Sequence, residues 1–296
     1  MDKTKIEWAD ATWNPVTGCY HKCEYCYARR IAKRFGGNDV GSTYRYGQKD
    51  WHRADSNHMQ MGQGTSDRPM LFEVDKQLYL PRSLDKRKTE KYGRQIFENK
   101  KAPYPFDFEP TFHRYRLEQP KKWKTPRTIF VCSMADLFGK WVPDSWIEEV
   151  FAACEKVPQH RYLFLTKNPQ RYAELAKAGK LLQRDNMWYG STLDSMRAKR
   201  YPGRFLDNTF VSIEPLTEYM DVGLGSFGSD KWVVIGAETG NRKEKVTPQK
   251  DWVDRICEAA DITHMAVFMK DSLIPVVGEE NMRRELPWDK ENRRTP

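Results

Sequence analysis

From Pro126 onward the chain alternates short apolar runs with amphipathic stretches. The runs Thr128–Cys132, Arg161–Leu165, Met187–Gly190, Thr209–Ile213, Trp232–Gly236 and Met265–Met269 are mostly too short and too continuously apolar for half-exposed strands. They predict the centres of a sheet buried on both faces, which is the signature of parallel pairing. Between them lie helical patterns. Pro143 to Glu155 opens with a proline and an acid and sets Ile147, Val150, Phe151 and Cys154 on one face. Asn168-Pro169 opens a second helix running to about Ala178, and Asp251 to Ala260 spaces Trp252, Val253, Ile256 and Cys257 along a third apolar face. Such alternation implies a parallel α/β sheet with right-handed crossovers.

In sheets of that kind the chemistry sits at the carboxyl ends of the strands. Polar residues recur at those ends: Ser133 and Asp136, Thr166 and Lys167, Ser191 and Thr192, Glu214, Glu238, and Lys270 with Asp271. A cap or a solvated side chain accounts for any one of them. As a set they point to a site.

The stretch from about Gly36 to Lys124 breaks the pattern. It is polar, basic and rich in glycine, proline and aromatics, as in Tyr44-Arg45-Tyr46-Gly47 and Tyr104-Pro105-Phe106-Asp107-Phe108. Within it Gln77 to Pro81 predicts short ordered structure, and Asp85 to Phe97 a basic helix. A structureless loop of this length is uncommon inside a compact domain. Residues 36–124 therefore read as an insertion or lid within a single domain spanning 1–296. Neither a fixed-period repeat nor a low-complexity tract interrupts the chain.

Of the 296 residues 39% are hydrophobic and 31% charged, as expected of a water-soluble globular protein. No apolar run approaches the roughly 20 residues needed to cross a bilayer, so no membrane association is expected. The first residues, Met1 to Trp8, are charged and lack the apolar core of a signal peptide, which predicts a cytoplasmic location. A net charge of +9 suits a polyanionic partner, since lysine and arginine neutralise phosphates, but it suits an ordinary basic protein as well.

Three of the six cysteines crowd into Gly18-Cys19-Tyr20-His21-Lys22-Cys23-Glu24-Tyr25-Cys26-Tyr27 with spacing C-x3-C-x2-C. Three thiolates within eight residues can hold three irons of a cubane and leave the fourth open. Zinc competes, yet structural zinc wants four ligands, and no second cysteine pair follows. His21 is a conceivable fourth ligand with poor reach inside so short a loop. Unligated thiols are the third reading. Cys132, Cys154 and Cys257 are scattered among apolar residues and read as buried structural thiols.

With Tyr25 before its last cysteine, the motif resembles the signature of the radical S-adenosylmethionine (SAM) superfamily. It follows a strand-like segment, Thr12 to Val16, and precedes a helix beginning near Tyr27. The chain further resembles a phage-associated branch of that superfamily, similar in its SAM pocket to the spore photoproduct lyase group. The motifs that carry this are Ile6-Glu7-Trp8, Trp13-Asn14-Pro15, Ser133-Met134-Ala135-Asp136-Leu137-Phe138, Leu165-Thr166-Lys167, Ser212-Ile213-Glu214-Pro215-Leu216 and Gly236-Ala237-Glu238-Thr239-Gly240.

The resemblance implies a partial (β/α)6-type TIM barrel with the basic insertion after its first βα unit. It implies a [4Fe–4S] cluster on Cys19, Cys23 and Cys26, and SAM as second cofactor. Tyr25 would set its backbone against adenine, and Ser133 and Ser191 would contact SAM. Lys167 would pair with the methionine carboxylate through a charge-assisted contact. Asp136, Thr166, Glu214 and Glu238 complete the candidate cofactor-binding set. No Gly-Gly-Glu tripeptide follows the second strand; Ser133 with Asp136 stands in its place. An external electron donor of the flavodoxin or ferredoxin type would reduce the cluster, and SAM cleavage would yield a 5′-deoxyadenosyl radical that takes hydrogen from substrate.

Neither fold nor cofactor names that substrate. A nucleic acid or nucleotide base is the preferred expectation. It rests on the charge, on the resemblance to a branch that includes a DNA-repair lyase, and on Tyr44, Tyr46 and Trp51 beside Arg45, Lys49 and Arg53 as a stacking surface. A solvated basic lid explains those residues equally well. Two further readings stand: an enzyme of the same kind acting on a peptide or small metabolite, and a non-catalytic cluster- and SAM-binding sensor.

Overall fold

The computed structural model describes residues 4–36, 59–61, 70–83, 97–196, 198, 206–222 and 227–289. The chain divides into two compact units, one of Met1–Trp13, Pro120–Val131 and Asp136–Pro296, the other of Asn14–Gln119 and Cys132–Ala135. We call them the sheet unit and the cysteine unit. Residues 14–35 thus share a unit with most of the basic insertion.

In chain order the first strands are β1 (Ala11–Trp13), β2 (Val16–Thr17), β3 (Met59–Met61), β4 (Phe72–Val74), β5 (Tyr79–Ser83), β6 (Phe97–Lys101) and β7 (Thr111–His113). They are followed by β8 (Thr128–Val131), β9 (Arg161–Thr166), β10 (Met187–Thr192), β11 (Thr209–Ile213), β12 (Trp232–Ile235) and β13 (Ala266–Met269). The helices used below are α1 (Tyr27–Phe35), α2 (Asp144–Glu155), α3 (Gln170–Lys177) and α4 (Lys250–Ile262).

The sheet unit is a mixed α/β body whose seven strands, in the order β1-β8-β9-β10-β11-β12-β13, form a curled parallel half-barrel. All six apolar runs expected as strands pair here in parallel. Period-2 alternation sorts their side chains. One face carries Val211, Ile213, Val233, Ile235, Val267 and Met269 against Val253, Ile256 and Ala260 of α4. On the same face Phe164 and Tyr189 stack at 5.2 Å and meet Phe151 of α2 and Tyr172 of α3. The opposite, inner face carries Phe130, Leu163, Trp188, Phe210, Trp232 and Phe268. It is filled by the two ends of the described chain: Ile6 and Trp8 from one, Leu286 and Trp288 from the other. Trp232 is fully buried, with ring centroids 5.8 Å from Trp8 and 5.1 Å from Trp288. Burial of each large apolar side chain in this layer stabilises the unit by about 2–3 kcal/mol.

The strand expected over Thr12 to Val16 is split into β1 and β2, which belong to different sheets. Pro15 has no N–H to offer a ladder, and the chain changes partner there.

In the cysteine unit β2 pairs antiparallel with β7, β7 parallel with β4, and β4 antiparallel with β3. Phe72 and Phe106 stack at 3.9 Å in a small core with Val74. Strands β5 and β6 pair antiparallel; the ordered structure expected at Gln77 to Pro81 falls on β5. The helix expected over 85–97 lies outside the described residues except for Phe97, which begins β6. Tyr44, Arg45, Tyr46, Lys49, Trp51 and Arg53 also lie outside them. Among the described residues no helix is long and apolar enough to cross a membrane.

Candidate functional site

The cysteine segment runs from β2 into α1. It is held by the backbone of residues 104–113 far more than by its own secondary structure. Gly18, at φ +88°, passes so close that a Cβ would lie 2.2 Å from the Glu109 carbonyl oxygen and 2.7 Å from that of Phe108. Only glycine combines that conformation with that approach. The Cys19 N–H donates to the Phe108 carbonyl at 3.2 Å, and the Gly18 N–H to the Met134 carbonyl at 2.9 Å. The single phenolic proton of Tyr20 faces two acceptors, the Met70 carbonyl at 2.8 Å and the Glu109 carboxylate. Burial first, and Glu109 second, push the Tyr20 phenol well above its ordinary pKa.

Cys19, Cys23 and Cys26 are half-buried, and none is joined in a disulfide. Cys26 caps α1, its Sγ accepting the Arg29 N–H at 3.4 Å; the Cys19 Sγ accepts the His21 N–H at 3.5 Å. The Arg29 guanidinium donates to the Cys19 carbonyl at 3.4 Å and lies 5.3 Å over the Phe108 ring, and its buried Nε has no hydrogen-bond partner. Cys19 and Cys26 also pack against the apolar group Ala28, Ala32, Phe108 and Met134. Soft sulfur donors, a cationic neighbour and an apolar wall suit an anionic iron–sulfur centre. Among the described residues no three His, Cys, Asp or Glu side chains converge as they stand closely enough to hold an ion.

Ser133 belongs to this same unit. Its hydroxyl donates to Asn14 Oδ1 at 3.2 Å, the Met134 N–H donates to the same oxygen at 2.9 Å, and its carbonyl accepts the Tyr27 hydroxyl at 2.7 Å. Asn14 therefore ties the residues after β8 to the start of the cysteine segment. Tyr25 is half-buried between the second and third cysteines. The remaining cysteines differ in kind. Cys132 and Cys154 are buried, and burial pushes the Cys257 thiol up to about 11.

The other candidates lie in the sheet unit at the carboxyl ends of its strands. Asp136 and Thr166 form a clamp rather than an open polar surface. One Asp136 oxygen accepts the Thr166 hydroxyl at 2.7 Å and the Phe138 N–H at 3.0 Å; the other accepts the Lys167 N–H at 3.0 Å. The clamp fixes the backbone from which Lys167 projects, and the Lys167 Nζ stands 2.7 Å from Asp194. Glu238 is nearly fully buried and takes both Nε and an Nη of Arg242 at 2.7 Å, which holds its carboxyl below the ordinary range. Glu214 pairs with Lys270.

Strand parity separates residues that look alike in sequence. Ser191 shares the helix-covered face with Tyr189, whereas Thr192 shares the inner face with Trp188. In register, the inner face reads Leu165-Gly190-Phe210-Trp232-Ala266 along one row and Thr192-Ser212-Val234-Phe268 along the next. Glu214, Gly236 and Lys270 then follow the matched trio Ile213, Ile235 and Met269. Sequence reasoning missed Asn14, Asp194 and Arg242 as partners and Gly236 as a spacer. Asn14 left a trace in the motif Trp13-Asn14-Pro15 and Gly236 at the end of an apolar run; Asp194 and Arg242 left none.

Fold and site together define a mixed α/β protein with a parallel half-barrel and, in its second unit, a segment of three close-spaced cysteines. The chain belongs to the family described as protein of unknown function (DUF5131), whose model matches residues 3–83 and 81–274. No curated protein matches the chain, and no solved structure does.

Proposed function

We propose that this protein is a radical SAM enzyme, with the half-barrel as a partial (β/α)6-type TIM barrel and Cys19, Cys23 and Cys26 as ligands of a [4Fe–4S] cluster. The observation that carries the reading is the cysteine segment itself: three half-buried cysteines at C-x3-C-x2-C spacing, none in a disulfide and two of them receiving backbone N–H groups. When bound, cluster and SAM together supply a one-electron cleavage that releases methionine and a 5′-deoxyadenosyl radical.

The chain's own residues bind and orient. Arg29 and the two N–H donors offset the negative charge of sulfur ligands, and residues 104–113 hold the segment in shape. Lys167, 2.7 Å from Asp194, would pair with the methionine carboxylate, and the part-exposed Asp194 would be left to solvent. The Asp136–Thr166 clamp acts on SAM by orienting Lys167. Ser133, Ser191 and the Tyr25 backbone supply uncharged contacts, and Glu214 and Glu238 line the strand ends. A flavodoxin or ferredoxin delivers the electron in the cytoplasm. The substrate is a base of nucleic acid, in phage DNA modification or repair, for which the net charge of +9 is the supporting property.

Anaerobic reconstitution with iron and sulfide tests the reading. A brown chromophore with iron and sulfide in equal amounts is expected, and 5′-deoxyadenosine on addition of SAM and dithionite. Cys19→Ala, Cys23→Ala and Cys26→Ala should each abolish both; Lys167→Ala should keep the chromophore and lose SAM binding. Stoichiometric zinc in place of iron would end the proposal.

A further inference from the structure

The row Glu214-Gly236-Lys270 has a property that the fold does not require. The strands there are already tied by other hydrogen bonds: the Lys270 N–H donates to the Ile235 carbonyl at 2.9 Å, the Leu216 N–H to the Gly236 carbonyl at 2.8 Å, and the Ala237 N–H to the Ser272 hydroxyl at 3.0 Å. Yet two opposite charges meet across the strand that separates them. They can do so because the intervening residue is glycine. A Cβ on Gly236 would lie 3.0 Å from Lys270 Cδ and 3.4 Å from Glu214 Cγ, so a side chain there would crowd the stems of both partners and require them to shift by a few tenths of an ångström.

The pair is also open. The Lys270 side chain keeps 15% of its exposure and that of Glu214 28%. Glu238, two residues past Gly236, is held in a two-pronged grip on Arg242, and Asp271, next to Lys270, pairs with Arg284. Below it on the same face lie Thr192 and Ser212, and below those the layer of Phe210 and Trp232 that Trp8 and Trp288 close off. A ligand on this face meets the pair from the carboxyl end of the strands, where parallel sheets place their sites.

We infer that Glu214 and Lys270, spaced by Gly236, form a binding site for a lactam edge, an N–H beside a C=O as on uracil, thymine or guanine. The chemistry follows from the zero net charge of the pair. A simple anion is repelled by the carboxylate and a simple cation by the ammonium. A cis-amide instead offers its N–H to Glu214 and its carbonyl oxygen to Lys270, making two charge-assisted hydrogen bonds without separating the charges. The inference sharpens the nucleobase part of the function proposed above and rests on that part alone, since it needs neither cluster nor SAM.

Calorimetric titration of the full-length chain, with no cluster loaded, uses uridine as probe and 3-methyluridine, whose lactam N–H is blocked, as control. Uridine should bind, and 3-methyluridine should bind at least about ten-fold more weakly. Glu214→Ala and Lys270→Met should each cut uridine affinity by a similar factor, and Gly236→Ala, checked for folding by circular dichroism, should do so without touching either charge. Equal binding of the two nucleosides overturns the inference. So does undiminished uridine binding in the Glu214→Ala/Lys270→Met double variant, or no uridine binding by the folded wild type. Iron content and SAM cleavage, measured separately, report on the radical reading whichever way this titration falls.

Discussion

The two compact units are stabilised in different ways. The sheet unit is a ladder of seven parallel strands with apolar layers on both faces, and Trp13, Trp146 and Trp232 are fully buried in it. The cysteine unit has strands of two to five residues and small apolar groups, and its chemical segment is held by individual hydrogen bonds to Phe108, Glu109, Met70 and Met134. The contrast teaches where each property resides. Cooperative stability comes from the ladder and its aromatic layer. The three close-spaced cysteines sit on a segment whose shape depends on a few polar contacts, the condition that lets a loop adapt.

That contrast can be broken by substitution. The largest effect belongs to Trp232→Ala, which empties the centre of the inner layer and should cost about 3–5 kcal/mol in denaturant unfolding. Under native conditions it should leave the reaction of the Cys19, Cys23 and Cys26 thiols with a disulfide reagent unchanged. A loss below about 1 kcal/mol would mean that the aromatic layer does not carry the unit.

Gly190→Ala comes next. Its Cβ would fall 2.3 Å from the Phe210 ring, so the same unit should lose about 1–3 kcal/mol through overpacking. Unfolding midpoints of the two variants should fall in that order.

Acid should single out the cysteine unit. Fully buried His113, its Nε2 2.9 Å from the Thr17 hydroxyl, is kept neutral with a pKa well below the ordinary value of 6.5, burial being the main cause and Arg116 the second. The unfolded chain therefore takes up the proton first. Stability is full above about pH 6.5 and falls as the pH drops below it, by at most about 1.4 kcal/mol per pH unit. Hydrogen exchange in β2 and β7, followed from pH 7.5 to 5.5 in steps of about half a unit, should accelerate beyond the intrinsic rate, and His113→Gln should flatten the dependence.

Tyr20→Phe is expected to be mildest, at about 1 kcal/mol for one lost hydrogen bond. Its signature is local: faster thiol reaction at Cys19 and Cys23 with the unfolding midpoint of the sheet unit unchanged. An unchanged thiol rate would show that the Glu109 and Met70 contacts do not shape the segment.

Much of this molecule was legible along the chain. Strands buried on both faces must be apolar at every position, so β8 to β13 were visible as short runs, and their number and spacing implied parallel pairing. The faces of α2 and α4 followed from their periodicity, and the close spacing of Cys19, Cys23 and Cys26 marked them as one chemical unit. Which strand-end side chains share a face was not legible, because direction alternates with every residue and a shift of one reverses it. Ser191 and Thr192 are neighbours in sequence, and only the register anchored by Trp188 and Phe210 assigns them to opposite faces. The hold of Glu109 on Tyr20, the Asp136–Thr166 clamp and the meeting of Glu214 with Lys270 across Gly236 join residues 30 to 89 positions apart. Local preference determines elements; contacts at that separation exist only once strands have paired and loops have closed, so tertiary structure alone decided them.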